Sequence, residues 1–303
     1  MNHYRRLNRV FAATVVTYLL GVNLVAFFFP VLIYNADAFS ILAEMIVFLV
    51  PFIYCMRNHL SMTEDLGFRP ISVENVLWSI LFICLLRPAV MFISMISALF
   101  LDTSVLESAT ETMAGGGLFM ALIVTAVVPA ITEEIVFRGV FYQGYRKHGI
   151  LIAIGFSSLL FSLIHLNFFM FIYTFVLGVA FCFLVEATGS VWSSVIAHAV
   201  FNGYSVVVTM IEEQQLSLMT EAEQEAYYAT SAQVSVFSYV YYGIAAVGCG
   251  VLCYVVYKKI CKINQVELTA EKLTMHDKVR RVTVPLVIGV LICLAYMVFL
   301  QSA

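Results

Sequence analysis

Six side chains in this sequence could do chemistry together: Glu133, Glu134, Arg138, His165, His198 and Asn202. The first three stand in Ala130-Ile-Thr-Glu-Glu-Ile-Val-Phe-Arg-Gly139, inside an otherwise apolar run from Leu118 to Gln143. Each charge near a bilayer centre costs roughly 2.5–3.5 kcal/mol on insertion scales, so ionisable groups at that depth are functional candidates. Successive helical residues lie about 100° apart, so Glu133 and Glu134 diverge, whereas Glu134 and Arg138 share a face at i, i+4. The economical division is one carboxylate neutralised by the arginine and the other free to work. His198 and Asn202 are also i, i+4 and project from one helix face. A free carboxylate can act as a general base on water, and fixed Asn and His donors can stabilise an oxyanion. No serine or cysteine stands with a base in this constellation, so a covalent route has no obvious nucleophile.

Each residue alone has a plainer explanation. A buried histidine is more often a hydrogen-bonded packing residue than a catalyst, and a membrane asparagine often joins helices. Phe161 reads as core, and Arg138 as a structural partner of Glu134. What favours a site, with Glu133 at its centre, is two glutamates, two histidines and an asparagine on three helices of one chain.

Positioning those residues is the task of a membrane bundle. The 303 residues are 62% hydrophobic and only 12% charged, with mean hydropathy +0.96, against about 25% charged in soluble domains. Recurrent apolar runs of spanning length predict an all-α polytopic helix bundle rather than a barrel, whose strands would alternate. Nine spans are read at about 10–33, 38–56, 75–101, 118–144, 149–166, 168–186, 190–211, 233–257 and 282–301. With the N-terminus cytoplasmic, all 16 Lys and Arg fall in cytoplasmic segments except Arg87 and Arg138 within the membrane, as the positive-inside rule requires. The outer loops carry Asp102, Glu107, Glu111 and the acidic stretch Glu212 to Glu225, read as a solvated face. The first apolar run is too long for a cleaved signal peptide. One transmembrane domain over 1–303 is expected, with no soluble domain, repeat or low-complexity tract.

Glu44 and Arg87 lie at similar helical depths, so a structural ion pair between them is expected. Pro88 should kink the third helix. Thr63-Glu-Asp-Leu-Gly67 reads as a helical turn closed by glycine, and Gly115-Gly-Gly117 as a flexible entry to the fourth helix. The seven cysteines lie in or beside apolar runs. They show no disulfide framework or zinc spacing, and Cys249 and Cys253 read as small residues at a helix contact. At about 1.5 Å per residue, Glu133 sits about 17 Å and His198 about 12 Å from their cytoplasmic ends, but His165 about 24 Å. His165 therefore needs a tilted or late-starting helix to join the others.

Glu-Glu-x-x-x-Arg, then Phe-x-x-x-His, then His-x-x-x-Asn, on successive membrane helices, resembles the CPBP family of intramembrane glutamic endopeptidases, which includes the CAAX proteases (the Abi family). The flanking words fit too: Glu133-Glu-Ile-Val-Phe-Arg-Gly139 and Thr188-Gly-Ser-Val-Trp-Ser-Ser-Val-Ile-Ala-His198. The likeness covers about residues 118–211, a catalytic core flanked by peripheral helices at about 10–101 and 233–301. The resemblance implies that Glu133 and His165 hold a water, that His198 and Asn202 form the oxyanion hole, and that Glu134 and Arg138 support them. It also implies a peptide or membrane-anchored protein substrate, lipidated in some relatives, no nucleic acid, no cofactor, and an integral membrane location, here taken as a bacterial plasma membrane. The depths suggest access from the cytoplasmic side.

Three rivals remain at this level. A metal-dependent hydrolase would use the same Glu and His residues as zinc ligands, but there is no His-Glu-x-x-His word. A non-catalytic scaffold or regulator of a partner would keep the cluster for stability. A transporter would show a repeat or a chain of charges across the membrane, and neither is present in the sequence.

Overall fold

The computed structural model describes residues 3–32, 34–101, 103, 117–147, 149–231, 235–267 and 282–302. Regular structure among them is entirely helical: α1 (His3–Phe28), α2 (Ala36–Arg57), α3 (Val73–Ser97), α4 (Gly117–Arg146), α5 (Ile150–Ile164), α6 (Phe168–Thr188), α7 (Trp192–Ser217), α8 (Glu221–Ser231), α9 (Val236–Ile263) and α10 (Val284–Ser302). Each of the nine expected spans has its helix. Eight are long and apolar enough to cross a membrane. The ninth, α5, has only 15 residues, about 22 Å of helix, so the hairpin it forms with α6 turns at His165–Asn167 well inside the bundle. The chain is an integral, multi-pass membrane protein.

Helix ends depart from the expected ones because hydropathy reports where lipid begins, not where hydrogen bonding stops. α1 starts seven residues before the expected Val10, with Tyr4 and Leu7 buried. α7 runs on past residue 211 to Ser217. The acidic segment beyond it forms α8, an exposed helix opened by a reciprocal cap in which Thr220 N–H donates to Glu223 at 2.7 Å and Glu223 N–H to Thr220 Oγ1 at 3.4 Å. Gly115 and Gly116 of the expected glycine entry lie outside the described residues.

The bundle centre is α4 and α6, the most buried of the spans. α2 and α9 leave apolar faces such as Leu49, Phe52, Val247 and Val251 outward, as lipid-facing helices do. α5 approaches α6 at Gly178, where an added Cβ would stand 2.9 Å from Ser158 Cα. α9 lies along α3, joined by reciprocal amide hydrogen bonds of 2.9 Å between Asn75 and Asn264 and by Cys253 Sγ on the Phe82 carbonyl at 3.5 Å. Cys253 is therefore the expected small residue at a helix contact. All seven cysteines are free thiols.

The connection between α2 and α3 fixes the frame of the bundle centre. Its turn ends at Gly67, whose φ of +78° suits glycine. The Gly67 carbonyl accepts from Val191 N–H at 2.9 Å, and Ser190 Oγ donates to the Arg69 carbonyl at 2.5 Å. Leu66 and Phe68 pack on Gly139, so one loop ties the start of α7 to the second half of α4. At the same end, Glu186 on α6 accepts from Tyr142 and Arg146 of α4. On the other flank, Tyr145 donates to Asn8 at 2.6 Å and Asn8 to Thr283 at 2.9 Å, joining α4, α1 and the start of α10.

The close approach at Gly178 is testable. Gly178→Ala is expected to cost about 1–3 kcal/mol of stability, read as a lower thermal midpoint in detergent. An unchanged midpoint would show that α5 and α6 separate freely.

Candidate active site

The middle of α4 is not regular. A regular turn, Val128–Glu134, with Pro129 at its start, lies between two π-helical stretches, Leu122–Val127 and Ile135–Tyr142. Such i→i+5 turns interrupt helices mostly at functional places, because they re-aim the side chains that follow. Glu133 and Glu134 end the regular turn; both are buried, as is Arg138, and Glu134 and Arg138 have no exposed surface.

The expected charge partition is present. Arg138 Nη1 donates to Glu134 Oε1 at 2.7 Å. The guanidinium carbon lies 4.3 Å from the Phe161 ring centre and 5.0 Å from that of Phe181, an arrangement favourable to a desolvated cation. Arg138 Nε and Nη2 and Glu134 Oε2 are buried without a hydrogen-bond partner among the described residues. Phe161 is thus core and cation platform at once.

His198 links the two glutamates. Its Nδ1 is 3.1 Å from Glu134 Oε1, and its Nε2 is 3.6 Å from Glu133 Oε2. Adjacent helical carboxylates diverge, as expected, and the imidazole spans the angle because its two nitrogens lie on different sides of the ring. Phe181 stacks on that ring at 5.1 Å and Phe161 meets it edge-on at 5.9 Å. The contact with Glu134 orients the ring, while 3.6 Å is too long for a direct hydrogen bond to Glu133.

His165 and Asn202 sit at the margins of this group. His165 follows the last residue of α5, and its Nδ1 is 2.7 Å from the Phe161 carbonyl. A carbonyl can only accept, so Nδ1 carries a proton, and in the neutral ring Nε2 keeps a lone pair. That imidazole lines a cavity of about 210 Å³ with Tyr18, Asn23 and Tyr296, and makes no ion pair with Glu133 within 4.0 Å among the described residues. Asn202 donates to the Thr125 carbonyl of α4 at 3.0 Å, leaving its second amide N–H. Glu133, Glu134, Arg138 and His198 are therefore drawn together, with His165 and Asn202 flanking them.

The expected Glu44–Arg87 ion pair is absent. Glu44 faces α4, where Thr132 Oγ1 lies 3.0 Å from its Oε2. Arg87 faces α7, donating to the Phe201 carbonyl at 3.1 Å with its guanidinium carbon 3.6 Å from the Tyr204 ring centre. Equal depth does not fix azimuth: α2 packs on α1 and α4, whereas α3 packs on α6, α7 and α9. Sequence reasoning thus missed Glu44 and Thr132 as neighbours of the site, although an acidic residue at membrane depth was the signal for one of them. Arg87 instead lines a groove of about 650 Å³ with Tyr173, Phe201, Tyr204 and Tyr242. Among the described residues, no group of three or more His, Cys, Asp or Glu side chains is arranged to hold a metal ion.

Residues 115–204, which contain the whole cluster except Glu44, match the family described as type II CAAX prenyl endopeptidase Rce1-like. That match supports the CPBP, or CAAX-protease, family expected from the motifs of this segment. A curated relative from Bacillus subtilis (strain 168), named "Putative membrane peptidase YdiL", is 30% identical over 93 residues, 30% of this chain and 38% of that protein. The match thus covers well under half the length of either protein. No solved structure matches.

The buried pair gives a stability prediction. Arg138→Gln leaves Glu134 buried without its cation and is expected to cost about 3–5 kcal/mol. The double variant Glu134→Gln/Arg138→Gln should recover much of that loss in a thermal or denaturant unfolding series. A double variant no more stable than Arg138→Gln would mean the two side chains do not neutralise each other.

Proposed function

We propose that this protein is an intramembrane endopeptidase that hydrolyses a peptide bond of a membrane-associated peptide or protein with a water activated by Glu133. The family match of the core segment supports a membrane protease. The observation that carries the finer reading is the charge partition: Arg138 is committed to Glu134, so Glu133 is the carboxylate left to take a proton.

In this reading Glu133 accepts a proton from the water as its oxygen attacks the substrate carbonyl, and passes it to the leaving amine. His165, with its Nε2 lone pair free, holds the water from the side of the smaller cavity. The second Asn202 amide N–H and the His198 ring stabilise the tetrahedral oxygen. Glu134 and Arg138 hold the His198 ring in place. The groove beside Arg87 and Tyr173 offers an apolar, aromatic path for a membrane-bound segment, and Tyr173 lies within electrostatic range of Glu133. No cofactor is required, and the location proposed is a bacterial plasma membrane.

The test is cleavage of a panel of membrane-anchored peptides by purified protein in liposomes. Glu133→Gln should reduce cleavage by about 10²–10⁴, and Asn202→Ala by about 10²–10³. Both variants should stay folded, and a chelator should leave the wild-type rate unchanged. Chelator-sensitive cleavage would instead favour a metal hydrolase. Full activity in folded Glu133→Gln would overturn the mechanism and leave the cluster as scaffolding.

A further inference from the structure

Arg87 stands near the middle of α3, half-buried and at membrane depth. Its Nη1 donates to the Phe201 carbonyl at 3.1 Å, and its guanidinium carbon lies 3.6 Å from the Tyr204 ring centre. A guanidinium carries five N–H donors, so one carbonyl and one aromatic face leave most of its donors unused and its charge without an anion. Among the described residues the ion pairs belong to Arg138, Arg146 and His198, and no carboxylate lies within ion-pair distance of Arg87. The carboxylate expected opposite it, Glu44, faces α4 instead. Charges inside a membrane are costly, ordinarily pair with one another, and mark the paths that substrates take.

The space beside Arg87 sets it apart from the paired arginines. The groove of about 650 Å³ between α3, α6, α7 and α9 is lined mainly by apolar and aromatic side chains, and among the described residues Arg87 is the one charged group on its wall. An occupant that complements this wall is apolar and carries a single negative charge. Depth and shape restrict how that charge arrives. Phosphate headgroups sit at the edge of the hydrocarbon core, roughly 15 Å from its centre, so a lipid headgroup does not reach Arg87 without leaving its leaflet. The groove also continues past Arg87 in both directions along α3, to Cys84 about one turn before it and to Ser94 about two turns after it. A chain can therefore run on past the guanidinium, which suits an acidic side chain within a segment rather than a terminal carboxylate.

We propose that Arg87 is a specificity-determining residue, holding an Asp or Glu side chain of an apolar, membrane-embedded peptide segment that lies in this groove. The planar fork of the guanidinium matches a carboxylate and can do so while stacked on an aromatic ring. Docking relieves two costs at once, the lone acid in the segment and the lone cation in the groove. It also sets register, because the carbonyl that Arg87 holds belongs to the residue before Asn202. The anion subsite stands on the groove and its unpaired cation; that the held segment is then cut rests on the reading of Glu133 as the base.

The probe is a set of apolar, fluorophore-labelled peptides of about 20 residues, amidated at the C-terminus, with Asp, Asn or Lys at one central position. Binding to liposome-reconstituted Glu133→Gln protein is read by fluorescence transfer, so that cleavage does not intervene. The Asp peptide should bind at least about tenfold tighter than the Asn peptide. That preference should vanish when Arg87→Gln is added, return with Arg87→Lys, and pass to the Lys peptide with Arg87→Glu. Equal binding of the Asp and Asn peptides while Arg87 is present would overturn the proposal, whether or not the Arg87 variants fold. An Asn peptide that gains the same affinity from a free C-terminal carboxylate would assign the subsite to a chain end and overturn it too. A preference seen only in liposomes free of anionic lipid would assign the groove to a lipid headgroup instead. Where wild type cuts these peptides, Arg87→Gln should raise KM for the Asp peptide by about tenfold and leave kcat within about twofold. A lower kcat for both peptides at unchanged KM would make Arg87 structural. If wild type cuts no peptide, the peptidase reading fails, while the binding preference still decides what Arg87 holds.

Discussion

A fully buried guanidinium inside an apolar bundle is the constraint on which the rest of this structure depends. Arg138 has no exposed surface, and an uncompensated charge there would destabilise the fold by several kcal/mol. Its neutralisation by Glu134 one turn away and its placement over Phe161 and Phe181 fix three helices relative to one another. The same contacts decide how the next two groups behave. Glu134 Oε1 also meets His198 Nδ1, so the cation, the structural carboxylate and the imidazole form one chain. Glu133 stands beside that chain without the arginine. Two adjacent glutamates thus acquire different environments from a single buried cation.

The surrounding elements make sense as supports for that chain. The loop after α2 is hydrogen-bonded to the start of α7 through Gly67 and Arg69. It packs on α4 through Leu66 and Phe68, which sets the register between the glutamates and His198. Glu186 of α6, accepting from Arg146 and Tyr142, secures α4 against α6 at one end. The π-helical turns on each side of Val128–Glu134 change which side chains face inward over a short length of α4. Peripheral helices α1 and α10 add Tyr18 and Tyr296 to the cavity that His165 lines, and α2 brings Glu44 to Thr132 beside the glutamates.

Much of this was legible in the sequence, and what was not has physical reasons. Nine helices followed from apolar runs, because lipid sets both their length and composition. The Glu134–Arg138 pair followed from i, i+4 spacing, which survives even in a locally widened helix. The Glu44–Arg87 pair did not form because depth along a helix carries no information about which helix lies opposite. His198 reaches both glutamates because an imidazole has two separated nitrogens, a property no helical wheel includes. The short α5 answers the depth mismatch of His165 by turning the chain inside the bundle. Its ring there is held by the Phe161 carbonyl.

The division of labour between the two glutamates is the central claim, and one paired measurement tests it directly. Unfolding midpoints and cleavage rates would be determined side by side for Glu133→Gln and Glu134→Gln in the same lipid. The account predicts a crossing: Glu133→Gln keeps its stability and loses cleavage, whereas Glu134→Gln loses stability by about 3–5 kcal/mol through the stranded Arg138. A destabilised Glu133→Gln beside a stable Glu134→Gln would contradict it, since the arginine would then belong to the other carboxylate.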